Sequence, residues 1–154
     1  MFFKKKDIKI LMLAIALVGA SACEKKTPDA EKKLYDDIMK VHDDVMPKMG
    51  DVNLLKQNIL SFNKNLPAEG KNVLLKDTLI SVALMLANAD ESMMQWMSDF
   101  SYPTQKRTDE ESLVYLKSQK DSVNKLSNKI YLAIGMGSRM LKNAPDSLKV
   151  VLKQ

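Results

Sequence analysis

The residues with chemical potential in this sequence are methionines, one histidine and one cysteine. Two of the eleven methionines, Met1 and Met12, precede Cys23, and most of the others fall in two groups. Met39, Met46 and Met49 flank His42, the sole histidine, while Met93, Met94 and Met97 surround Trp96, the sole tryptophan. Thioether sulfur and imidazole nitrogen are soft donors that suit Cu(I) or Ag(I). Met39, His42, Met46, Met93 and Met97 are therefore a candidate soft-metal set, with copper as the implied cofactor. The same residues have a plainer use, because flexible, polarizable methionine fills irregular core space and packs on aromatic rings. If the layer were exposed, Met and Trp would instead suit a promiscuous protein-binding groove. No Cys-x-x-Cys-His motif supports haem.

Other chemistry finds little support. A nucleophilic triad needs a base held by an orienting acid, facing a nucleophile. His42 has Asp43 and Asp44 beside it, but neighbours on a helix point about 100° apart, which predicts that neither orients the ring. The pairs Asp36/Asp37 and Asp43/Asp44 read as a solvated face, with Asp36 to Lys40 and Asp44 to Lys48 at a supportive spacing of four. A calcium loop needs oxygen ligands on non-helical backbone around a turn glycine, and no such segment is visible. No Gly-rich phosphate loop occurs either. The expectation is a protein that is not an enzyme.

Cys23 stands where a different chemistry applies. Before it come the basic Lys4, Lys5, Lys6 and Lys9, an apolar run over residues 10–18, and the small residues Gly19, Ala20, Ser21 and Ala22. That order is the layout of an export signal. A membrane span needs about 20 apolar residues, and this run is roughly half of that before Glu24, Lys25 and Lys26 arrive, so the segment is expected to be cleaved. Ala20-Ser21-Ala22 fits ordinary signal cleavage, and Ala-Ser-Ala-Cys resembles the lipobox of bacterial lipoproteins. In a lipobox the Cys thiol takes a diacylglycerol. Both readings cut after Ala22, and with a single cysteine no intramolecular disulfide competes. Residues 1–22 are read as the signal, Cys23 as the lipid attachment site at the start of a linker over 23–27, and 28–154 as one helical domain. Several acyl chains, at about 0.8 kcal/mol per buried CH₂, give stable anchoring where one does not.

Those sites must be positioned by helices. The formal charge is +5, but the signal carries four Lys and one Asp, so the remainder is close to neutral at about +2. Without a basic stripe interleaved with aromatics, nucleic acid is not an expected partner. Thr27-Pro28-Asp29 reads as a helix start. The apolar stripe then falls at Leu34, Ile38, Val41, Val45, Val52, Leu55, Ile59, Phe62 and Leu66. One helix over 28–65, kinked near Pro47, is predicted, or two helices meeting at a short break. Pro67 and Gly70 mark a turn over 63–72. A second stripe runs through Leu75, Leu79, Val82, Leu86, Ala89, Met93, Trp96 and Phe100. Thr108 with Glu111 is a capping box that opens a third, whose stripe is Leu116, Val123, Leu126, Ile130, Ala133, Gly137 and Met140. Gln119 is its polar exception, and Gly135 and Gly137 suggest close helix approach. Residues 147–152 suit a short closing helix. The fold predicted is all-α: an elongated, coiled-coil-like antiparallel three-helix bundle with a short C-terminal helix. With the turn near residue 69, His42 should lie near Trp96 and Met97.

Residues 35–50, YDDIMKVHDDVMPKMG, and 89–97, ADESMMQWM, resemble a group of small helical lipoproteins of Bacteroidota-like bacteria, some labelled "viral A-type inclusion protein". The resemblance implies an envelope location and helices, and no catalytic residues. Taken together, the expectation is a lipid-anchored envelope protein, at the outer membrane facing periplasm or cell surface. Its task would be interaction with a protein partner or with copies of itself, or a structural role; the alternative is soft-metal binding.

Overall fold

The structure, a computed structural model, describes residues 28–70, 72–102 and 107–143. The signal segment, Cys23 and the closing helix expected at 147–152 lie outside the described residues. Within them are four α-helices: α1 (Pro28–Val45), α2 (Met49–Asn65), α3 (Asn72–Asp99) and α4 (Asp109–Lys142). A 3-10 turn, Met46–Lys48, joins α1 to α2. There is no strand among the described residues.

Of the two arrangements expected over 28–65, one kinked helix or two meeting at a short break, the structure has the second, and Pro47 is the reason. Proline lacks the N–H that a continuous α-helix would use and crowds the preceding turn. Tightening one turn to 3-10 geometry accommodates both faults. The residues on either side, Val45 and Met49, keep right-handed helical dihedrals, so the apolar phase survives the break. Ile38, Val45, Val52 and Ile59 recur every seven residues and are all fully buried. Pro47 itself, with Lys48, is exposed.

Lys76 closes the other junction. Its ammonium donates to the carbonyls of Leu66 and of Asn63, which also accepts the Leu66 N–H at 3.4 Å, at the end of α2 where intrahelical donors run out. Gly70 then takes φ +58° in the turn, a conformation that costs glycine little. At the start of α4 the capping box is complete: the Glu111 N–H donates to Thr108 Oγ1 at 3.3 Å, and the Thr108 N–H donates to Glu111 Oε2 at 2.8 Å.

Contacts between helices fix their directions. Trp96 meets Gln119 and Asn88 meets Lys129, so α3 and α4 run oppositely. Asp37 meets Lys120 while Leu55 and Ile59 lie against Gly137, so α1 and α2 together run alongside α4 in the same sense. One core joins them, with Leu79, Leu86, Met93, Leu116, Val123 and Ile130 fully buried from α3 and α4. Every position of the three predicted stripes is in this core or packed against it.

Gly135 and Gly137 part company. A Cβ on Gly137 would meet Leu86 Cδ1 at 3.3 Å, Ile59 Cδ1 at 3.4 Å and Leu55 Cβ at 3.5 Å, whereas one on Gly135 would meet only Arg139 Nη1 at 3.9 Å. Close approach explains the first glycine and not the second. The surface ion pairs also differ from the expected ones. Asp36 pairs with Lys32 rather than Lys40, and Lys48 reaches Asp51, at 3.9 Å, rather than Asp44. Asp37 is no part of a purely solvated face, because it accepts from Lys120 of α4 at 2.7 Å.

Candidate functional site

The helix phase that buries Ile38 and Val45 on α1 sets His42 between them, just off the seam. Opposing directions of α1 and α3 then carry it to the far end of α3. His42 Nε2 lies 3.2 Å from Met97 Sδ, and its ring centroid is 6.0 Å from that of Trp96. This is the pairing implied by a turn near residue 69.

Asp43 completes the arrangement, against expectation. Its carboxylate folds back so that Oδ1 lies 2.9 Å from His42 Nδ1. The side chains, not the backbone directions, decide the contact: a carboxylate on a two-bond arm reaches the ring of its neighbour although their Cβ atoms diverge. The imidazole is mostly buried, at 17% exposure, while Asp43 stays in solvent at 70%. A neutral imidazole carries one N–H, and neither contacting atom is a donor. If that proton sits on Nδ1 to serve Asp43, the Nε2 lone pair faces the sulfur lone pairs of Met97 directly.

The remaining sulfur residues are distributed around this pair. Met93 is fully buried in the core one turn from Met97. Met46 is half-buried against the core one turn from His42. Met39 is half-buried on the other side of His42 and is not among the residues packed on the core. Met94 points outward, at 58% exposure. Of the five candidate ligands, the structure therefore joins His42 to Met97 and sets Met39, Met46 and Met93 within a turn of one or the other. No group of three His, Cys, Asp or Glu residues converges among the described residues.

Trp96 holds the layer in place. Its indole N–H donates to Gln119 Oε1 at 2.9 Å, which accounts for the polar exception in the α4 stripe. A buried tryptophan needs an acceptor, and a lone amide at a core position supplies one. The rings continue beyond it: Phe100 stacks on Trp96 at 5.0 Å, and Tyr35, Tyr102 and Tyr115 surround Phe100 and its neighbours. Arg107 covers Tyr115 with its guanidinium carbon 4.1 Å from the ring centroid, a cation–π arrangement. Sequence spacing alone gave no sign of this aromatic end, because its members come from α1, the end of α3 and α4. On the outer side, Asn88, Glu91, Ser92, Gln95, Trp96 and Asp99 line an open groove of about 430 Å³. Lys129 bridges Asn88 and Ser92 at 2.6 and 2.8 Å.

Two carboxylates near this end titrate low. The hydrogen bond from Lys120 holds the Asp37 carboxyl below the usual carboxylate range. The Thr108 backbone N–H, then its hydroxyl, does the same for Glu111. Both are structural shifts, at an ion pair and a helix cap, and neither faces His42.

Compared with known protein families, with curated proteins and with solved structures, the chain matches none.

Proposed function

We propose that the chain is a lipid-anchored, non-enzymatic protein of the cell envelope. In this reading it is an elongated, coiled-coil-like three-helix bundle that Cys23 holds at the membrane. It works by association with a second copy of itself through the outer face of α3. The observation that carries the reading is that α3 carries large apolar residues, Val73, Leu74, Ile80, Leu84 and Met94, on its exposed surface as well as in the core. By length and composition it could cross a membrane, yet only 28% of its most apolar window is buried in the bundle.

The outward residues have a pattern. Val73, Ile80, Leu84 and Met94 are 49%, 39%, 64% and 58% exposed, and with Ala87 they follow steps of seven, four, three and seven along the face opposite the core, the acids Asp77 and Glu91 filling the two longer gaps. They are also nearly palindromic. Val73 and Met94 are equidistant from the midpoint between Ala83 and Leu84, and so are Ile80 and Ala87. A twofold axis at that midpoint makes the stripe self-complementary in antiparallel pairing, as an isologous interface requires. The same register sets Asp77 opposite Asp90, a repulsive pair worth ~1 kcal/mol or less at an exposed site, while Lys76, opposite Glu91, is engaged by the Asn63 and Leu66 carbonyls of its own chain.

Size says how strong the pairing is. A 28-residue helix is about 42 Å long and about 10 Å wide, a strip of roughly 400 Å². That falls short of the ~800 Å² per partner of a stable complex. Association is therefore weak in solution and depends on the membrane anchor, which confines the copies to a surface and raises their effective concentration.

Cross-linking of the mature chain tethered to vesicles through Cys23 tests the reading. Wild type is expected to give cross-linked dimers that disappear in Leu84→Lys and persist in Leu132→Lys, a change at an equally exposed position on α4. Equal cross-linking in the two variants contradicts it.

A further inference from the structure

His42 and Met97 bring an imidazole nitrogen and a thioether sulfur together at 3.2 Å, and a soft cation could bridge them. In the neutral tautomer whose Nδ1–H is donated to Asp43, Nε2 and Met97 Sδ present two donor lone pairs to each other. A carboxylate on the far nitrogen of an imidazole is the common outer partner of a metal-bound histidine, fixing its tautomer and turning Nε2 toward the ion. We propose that His42 and Met97 form the core of a binding site for a soft monovalent cation, Cu(I) or Ag(I). A second sulfur, as third ligand, comes from Met46 or Met93.

Geometry supports the pair as it stands. Bonds of about 2.0 Å to imidazole and about 2.3 Å to sulfur place two ligands ~3.2 Å apart at an angle of ~95° and ~3.7 Å apart at 120°. The observed separation of 3.2 Å thus fits the narrower angle, and an opening of about half an ångström reaches the wider one. Methionine is flexible enough to supply that movement. Met46 and Met93 each sit one helical turn from a primary ligand, the spacing at which side chains on one face meet. The donor set selects its cation: one nitrogen and two thioethers favour Cu(I) and disfavour Mg²⁺, Ca²⁺ or Mn²⁺, which prefer oxygen.

Trp96 adds a signal. Its ring centroid is 6.0 Å from that of His42, so a change at the imidazole alters its surroundings. As the only tryptophan in the chain, it reports on this layer and no other.

The test is anaerobic titration of the mature chain carrying Cys23→Ser, which removes the one thiol that would itself take Cu(I). Cu(I) is supplied from a chromogenic chelator, Ag(I) is added directly in a separate series, and Trp96 fluorescence is read throughout. The expected result is one equivalent bound with a change in Trp96 emission. Affinity should fall at least tenfold in His42→Ala and in Met97→Leu and stay unchanged in Met136→Leu, at a methionine on α4 packed against the core away from this layer. Met97→Leu nearly keeps side-chain volume, and its circular dichroism and binding are read together. Absence of binding overturns the proposal. So does binding that both His42→Ala and Met97→Leu leave intact, or that Met136→Leu weakens as much as Met97→Leu.

Discussion

Replacing Gly135 and Gly137 by alanine, one at a time, separates helix propensity from packing at two positions in the same turn of α4. Glycine in a helix interior is up to about 1 kcal/mol less favourable than alanine. At Gly135 nothing opposes that gain, because the added methyl meets only the mobile end of Arg139 at 3.9 Å. Gly135→Ala should therefore stabilise by close to ~1 kcal/mol. At Gly137 the methyl would stand 3.3 Å from Leu86 and 3.4 Å from Ile59, both fully buried, and 3.5 Å from the Leu55 Cβ, which cannot swing away. Overpacking of this kind typically costs about 1–3 kcal/mol, so the net change runs from about zero to ~2 kcal/mol of destabilisation. The two variants should differ by about 1–3 kcal/mol. Urea unfolding followed by circular dichroism measures that difference, and unchanged m-values would show that the denatured state is not responsible. A Gly137→Ala variant as stable as Gly135→Ala would refute the close approach of α4 to α2 and α3.

Gln119→Leu strands the buried indole N–H of Trp96 and should cost about 1–3 kcal/mol, with altered Trp96 emission in the folded protein; Gln119→Glu, which can still accept, should cost less. Thr108→Ala removes the cap of α4 and should cost about 1 kcal/mol by the same unfolding assay. Asp37 and Glu111 titrate below their unfolded values, so the native state holds fewer protons than the unfolded one as pH falls. Their contribution to stability is present above about pH 4 and is lost as pH drops through the depressed values. Urea midpoints between pH 2 and pH 6 should therefore fall toward acid, with a shallower fall in Lys120→Met. An unchanged slope in that variant would contradict the assignment of Asp37.

The helices were legible because their apolar residues recur at a spacing that only a helix turns into one face. Leu34 to Leu66, Leu75 to Phe100 and Leu116 to Met140 all name residues of the observed core. Pro47 was legible as a disturbance, but whether the chain bends or tightens depends on Val45 and Met49 keeping helical dihedrals. The approach of His42 to Trp96 and Met97 followed from turn position and opposite helix directions. What stayed hidden is side-chain reach. Asp43 touching His42, Asp37 crossing to Lys120, and Tyr35, Phe100 and Tyr115 meeting from three helices depend on rotamers and on which turns come level. Gln119 carried a readable signal: one amide in an apolar stripe implies a buried donor opposite, and the single tryptophan is the residue that needs one.

In the proposed function, anchoring is what gives the weak outer stripe of α3 its effect, because copies confined to a membrane would meet at concentrations that free copies do not reach. The state of Cys23 is therefore the measurement that bears most directly on the account. Mass spectrometry of the N-terminal peptide of the protein extracted from membranes should find a chain beginning at Cys23, heavier by a thioether-linked diacylglyceryl group. An unmodified Cys23 at that terminus, or a chain still carrying residues 1–22, would contradict the lipid-anchored reading.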